Sequence, residues 1–119
     1  MCSETPIMQK SIRTFADYKN AIDRTVIYPQ TTKIQSLQYL ALGLNGEAGE
    51  VAEQIKKAMR NDGGELSDER VILLKKEIGD VLWYLTRLAA ELETDLAEIA
   101  TANVEKLLAR KEQGNLRHE

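Results

Sequence analysis

Between residues 34 and 60 the apolar side chains Leu37, Ala41, Leu44, Ala48, Val51, Ile55 and Ala58 recur at alternating spacings of four and three, and nothing else in the chain limits its fold as strongly. That rhythm marks an α-helix packed along its whole length against another helix. Such a helix is about 40 Å long at 1.5 Å per residue, so it needs a partner of similar length. The segment from about Ser67 to Leu92 supplies one, with Leu74, Ile78, Val81, Leu85, Leu88 and Leu92 as its own apolar stripe. Asn61-Asp62-Gly63-Gly64 between them suits a left-handed helix cap, and the short connection favours antiparallel neighbours.

Two shorter helices complete the pattern. The first runs from about Phe15 to Thr25, capped by Thr14 and stopping ahead of Tyr28-Pro29, where proline disfavours a helical predecessor. The last starts at Thr94-Asp95 and reaches about Lys111. The expected fold is all-α, an antiparallel helical bundle of about four helices. It forms a single domain over 1–119, with tails at 1–10 and 112–119. Helix three also carries Ile72, Leu73, Leu82 and Trp83 away from its main stripe, more apolar surface than one thin bundle covers, so the chain is expected to assemble with itself.

Charge and cysteine content narrow the partners. With 16 Lys and Arg against 19 Asp and Glu the net charge is -3, and no segment is strongly basic, so nucleic acid is not expected as a partner. No run approaches the ~18 apolar residues of a membrane span. The single cysteine, Cys2, lies in the N-terminal tail and allows no internal disulfide, which points to the cytoplasm. The lone histidine, His118, sits in the C-terminal tail without a chemical context.

Within the long helix, Gly43, Gly46 and Gly49 each cost roughly 1 kcal/mol relative to alanine. They lie beside acids. Acidic pairs three residues apart share a helix face, and there are six: Glu47/Glu50, Glu50/Glu53, Asp62/Glu65, Glu65/Asp68, Glu77/Asp80 and Asp95/Glu98. Most read as solvated faces. Two differ, because Glu47 falls about 70° and Glu77 about 80° from the apolar centre of its helix, at the edge of the packed face. Beyond Glu77, the residues Asp80, Tyr84, Arg87 and Glu91 continue one polar stripe that includes an aromatic. Four converging carboxylates repel unless a cation lies between them, and hard oxygen ligands at this density suit Mg²⁺ or Mn²⁺. The glycines would then let a neighbouring backbone or a bulky anion approach beside the acids.

At these residues the chain resembles the MazG-like nucleoside triphosphate pyrophosphohydrolases of the all-α NTP pyrophosphatase group. The pattern is E-x-x-E on one helix and E-x-x-D on the next, here GEAGEVAEQIKKAMRNDGG and KEIGDVLWYL with 26 residues between Glu50 and Glu77. The likeness extends from LALGLNGEAGE through ANVEKLLAR, roughly Tyr39 to Arg110. It implies hydrolysis of a nucleoside or deoxynucleoside triphosphate to the monophosphate and pyrophosphate, with Mg²⁺ held by Glu47, Glu50, Glu77 and Asp80, Mn²⁺ being able to substitute. It also implies an obligate homodimer or homotetramer, and places the family's Asn and Lys of the last helix at Asn103 and Lys106.

Helical rotation adds Arg110, within about 60° of Asn103 and Lys106, giving one face an amide and two cations for phosphate oxygens. Tyr84, one turn from Asp80, is the aromatic expected at sugar or base, while Trp83 is expected in the core or a dimer interface. Glu53 either joins the acids through Glu50 or pairs with Lys57. Adjacent Lys56 and Lys57 point about 100° apart and cannot both face one ligand. A bound water would give its proton to a carboxylate, Glu50 first and Glu47 second. The alternatives are a narrow pyrophosphatase for dUTP, dCTP or phosphoribosyl-ATP, and a non-enzymatic helical oligomerisation or adaptor module.

Overall fold

Each helix starts on a side chain that satisfies its first free amides. In the computed structural model, which describes residues 11–114, α1 spans Phe15–Ile22 and continues as a 3-10 turn over Asp23–Thr25, α2 spans Lys33–Asn61, α3 Asp68–Glu91 and α4 Leu96–Glu112. Thr14 Oγ1 accepts from Asp17 N at 3.0 Å while Asp17 Oδ2 accepts from Thr14 N at 3.3 Å, a reciprocal capping box. Thr32, Ser67 and Asp95 cap α2, α3 and α4 in the simpler one-way manner. Asp62 N and Gly64 N both donate to Ala58 O, with Gly63 and Gly64 at φ 69° and 80°, where a side chain would strain the backbone. Cys2, His118 and the expected tail at 1–10 lie outside the described residues, as does 115–119. Of the tail expected at 112–119, Glu112 belongs to α4.

α2 and α3 pack as an antiparallel pair. Arg70 near the start of α3 donates to Asp62 Oδ2 at 2.9 Å and to Gln54 Oε1 at 2.8 Å, and at the opposite end Lys33 meets Glu93 at 3.2 Å. Leu40 and Ser36 are fully buried, Tyr28, Thr86 and Ala89 are buried as well, and Ala58 and Leu74 are buried towards the loop end of the pair. Among the described residues there are four α-helices and no strand, and no helix is long and apolar enough to cross a membrane.

The bundle is thinner than the sequence suggests. α1 rests on α3 and α4, α4 leaves the end of α3 without packing along it, and the α4 backbone does not come alongside α2. The radius of gyration is 17.9 Å, against about 13 Å for a compact domain of this length. Part of each apolar stripe therefore stays uncovered: Ala41, Ala48 and Ile55 of the α2 stripe and Ile78, Leu85 and Leu92 of the α3 stripe are exposed, and so are Leu42 and Met59 beside them. A two-helix layer covers one side of each helix, and these stripes are wider than one side.

Candidate active site

Midway along the α2/α3 pair the acids converge. One carboxylate oxygen from each of Glu47, Glu77 and Asp80 lies within 4.8 Å of the others. Burial pushes the Glu47 carboxyl above its usual range, and the charges of Asp80, Glu77 and Glu50 together with a hydrogen bond to Asp80 push it the same way. Glu50 is exposed and stands outside the trio, near enough for its charge to act on Glu47. The sequence grouped four acids; the structure brings three together and sets Glu50 at their edge. Three carboxylates this close, one of them driven towards its protonated form, are the donor set a hard divalent cation fits.

Against the acids lies a cleft of about 410 Å³ lined by Thr25, Ile27, Tyr28, Tyr39, Glu47, Asp80, Trp83 and Tyr84. Its walls are rings. Tyr28 and Tyr39 stack with centroids 5.4 Å apart, Trp83 meets Tyr28 edge-on at 6.4 Å, and Tyr84 meets Trp83 edge-on at 5.0 Å. The Trp83 indole N–H donates to Thr25 Oγ1 at 2.8 Å. Trp83 thus belongs to the cleft wall rather than to the core, because α3 turns that face towards the 3-10 turn.

Tyr84 stands where the sequence placed it, beside the acids, with its hydroxyl pKa raised by burial and by the charges of Tyr39, Glu47 and Asp80. It also explains one glycine: a Cβ at Gly43 would overlap the Tyr84 ring. The neighbour that needed room there is a side chain, not a backbone or an anion. Gly46 and Gly49 face open space in the chain.

Other expectations resolve as follows. Glu53 pairs with Lys56 at 3.0 Å instead of Lys57, and that hydrogen bond holds its carboxyl below the usual range. Arg87, read as part of a polar stripe, is 9% exposed and hydrogen-bonded to Tyr28, Asp23 and Glu91. Asn103 and Lys106 are exposed on α4 and Arg110 is half-buried, on a helix that does not approach α2.

Sequence reasoning missed Thr25, Ile27, Tyr28 and Tyr39. For Tyr39 a signal existed, since Tyr39, Gly43 and Glu47 follow at steps of four on one face of α2. Residues 26–32 follow no helical period, and Tyr28 was legible there only as a stop signal.

A family model for the MazG nucleotide pyrophosphohydrolase domain matches residues 35–114, a span that holds all four acids and α4 and begins after Tyr28. The chain is similar to the Gene 37 protein of Mycobacterium phage L5, with 39% identity over 100 residues, 82% of this chain and 88% of that protein. No solved structure matches.

Proposed function

The chain belongs to the MazG nucleotide pyrophosphohydrolase family, and from that premise we propose that it hydrolyses a nucleoside or deoxynucleoside triphosphate to the monophosphate and pyrophosphate with the help of a divalent cation. The observation that carries this reading is the acid trio opening directly into an aromatic cleft. Glu47, Glu77 and Asp80, with Glu50 beside them, would hold Mg²⁺, or Mn²⁺ in its place. The cation supplies neutralisation of the triphosphate and a lower pKa for a bound water. Glu50 is exposed and outside the trio, which suits it to accept the proton of that water, with Glu47 second. The rings of the cleft would take the nucleoside, with Tyr84 placed between the acids and the aromatic wall to touch the sugar or base.

Asn103, Lys106 and Arg110 would serve phosphate oxygens from the α4 of a second copy, since within one chain α4 does not approach α2. Self-assembly also covers the exposed Leu42, Ile55, Met59 and Ile78. Light scattering is expected to give at least twice the 13.4 kDa chain mass; a monodisperse monomer with full activity would end this part of the reading.

The test of the reaction is a panel of the canonical NTPs and dNTPs with Mg²⁺ or Mn²⁺. Monophosphate and pyrophosphate should accumulate together, orthophosphate should appear only after inorganic pyrophosphatase is added, and chelation should stop turnover. Diphosphate plus orthophosphate as products would refute the reaction, and no turnover of any nucleotide with either metal would favour an adaptor module instead.

A further inference from the structure

We propose that Arg87 is a positioning residue for the nucleoside end of the cleft, setting the aromatic wall through Tyr28. The proposal rests on the reading of this cleft as a nucleotide site.

Arg87 sits on α3 one turn beyond Trp83 and Tyr84 and does not itself line the cleft. Its Nε and Nη2 donate to the Tyr28 hydroxyl at 3.2 and 3.0 Å, Nη1 to Asp23 Oδ1 at 2.9 Å and Nη2 to Glu91 Oε2 at 3.3 Å. The Tyr28 hydroxyl in turn donates to Glu91 Oε2 at 2.5 Å. Lys19 Nζ holds Asp23 Oδ2 at 2.7 Å from the far side. One guanidinium therefore ties together the 3-10 turn, the irregular segment before α2, and α3.

Stability is a weak reason for such a network. Withdrawing these charges from water costs several kcal/mol, and well-packed apolar side chains of similar volume often do as well. What apolar packing does not fix is the height and rotation of a single ring. Tyr28, 5% exposed, is the network's one member that lines the cleft, and it backs Tyr39, which is 42% exposed, while bracing the edge of Trp83. The same 3-10 turn holds Trp83 through Thr25. The wall on which a base would stack is thus fixed from behind, and fixing a binding surface in advance lowers the ordering cost of binding.

Two variants separate positioning from folding. Tyr28→Phe keeps the ring and removes the hydroxyl, leaving the Arg87 contacts to Glu91 and Asp23 in place. Arg87→Lys keeps the charge and loses the fork that reaches three partners. Steady-state kinetics would use the four canonical dNTPs with Mg²⁺, and pyrophosphate as an inhibitor with no base. If the wall is set this way, KM rises about three- to tenfold for every dNTP, the worth of one well-placed aromatic contact, while kcat stays within about twofold. The inhibition constant of pyrophosphate should not move. Trp83, the sole tryptophan, allows dNMP binding to be titrated by fluorescence, and dissociation constants should rise by the same factor.

Should Arg87→Lys fail to fold by circular dichroism, Tyr28→Phe alone decides. Unchanged KM in the folded variants overturns the proposal while leaving the nucleotide reading intact. So does a fall in kcat together with weaker pyrophosphate inhibition, which would place the effect at the acids. A wild-type chain that binds and turns over no nucleotide overturns both.

Discussion

Alanine at Gly43 should behave unlike alanine at Gly46 or Gly49, although all three glycines occupy the interior of α2. At an exposed helix-interior site the change relieves a helix penalty of about 1 kcal/mol, and Gly46 and Gly49, with open space beyond the Cα, should return that gain. Gly43 carries the same gain and an opposing cost: its new Cβ would overlap the Tyr84 ring, and overpacking costs about 1–3 kcal/mol. The net expected for Gly43→Ala runs from near zero to a loss of about 2 kcal/mol. At about 4 °C per kcal/mol, the variants should separate by roughly 4–12 °C in Tm. Thermal unfolding by calorimetry at one fixed protein concentration, with chelator present, gives the comparison, since assembly and metal both shift Tm. Repeating the set in a Tyr84→Ala background isolates the clash, because there Gly43→Ala should become stabilising and the coupling should equal the lost overlap. Equal stabilisation by all three substitutions, or a Gly43→Ala loss that survives removal of the ring, would refute the reasoning. Destabilisation at Gly46 or Gly49 would mean that a second copy sits against that face.

Glu47→Gln, Glu77→Gln and Asp80→Asn should each lower turnover by about 100-fold or more with helicity retained, and Glu50→Gln should lower kcat while leaving cation affinity the least changed of the four. Glu65→Gln and Asp68→Asn, acids of α3 and its approach outside the trio, should stay within about twofold in the same pyrophosphate-release assay; equal losses there would sink the site. Because the Glu47 carboxyl is raised in the folded state, the folded apoprotein holds an extra proton between the ordinary value near 4.3 and that raised value. Its contribution to stability is complete below the ordinary value and lost as pH climbs through the raised one. Apoprotein Tm should therefore fall across that window, Glu47→Gln should flatten the slope, and saturating Mg²⁺ should raise Tm above it; a slope unchanged in Glu47→Gln would assign it elsewhere.

How much of this was readable in advance follows from the kind of signal each residue carries. The α-helix ends were legible to within a residue or three because Thr14, Ser67, Asp95 and Gly63-Gly64 punctuate the backbone locally. The α2/α3 pairing was legible because both stripes keep the helical period over comparable lengths. Rotation about each helix axis placed Glu47 and Glu77 at the margin, and the structure finds them there with Asp80. The same arithmetic does not separate Glu50 from Asp80, since a step of three turns each about 60° from its partner; that Asp80 joins the trio and Glu50 does not depends on how α2 and α3 are rotated against one another. Arg87 could not be read this way. Its burial depends on a phenol and a carboxylate from residues 23–28, and no period on α3 announces them. Nor could the width of the apolar stripes say how many sides one chain covers, because a stripe records which residues are apolar and not what packs on them.

The place of the acids within the α2/α3 pair accounts for how an apoprotein tolerates them. Glu47, Glu77 and Asp80 stand near the middle of the pair, where mutual repulsion would act to spread the two helices. Both ends are tied. At the loop end Arg70, its side chain 14% exposed, forks onto Asp62 and Gln54, and at the other end the Arg87 network holds α3 to residues 23–28, whose Tyr28 ring stacks on Tyr39 of α2. The exposed Lys33–Glu93 pair adds little by comparison, about 0–1 kcal/mol for a surface pair. The Arg70 fork bonds α3 directly to the end of α2 and so opposes the opening that the carboxylates favour, while Arg87 reaches α2 only through the ring of Tyr28 stacked on Tyr39. A frame tied at its ends and repulsive at its centre would suit a cation, which would neutralise that repulsion. The Arg70 fork and the Tyr28–Tyr39 stack, both remote from the acids, would hold the pair closed around a partly buried Glu47 whether or not a cation is bound.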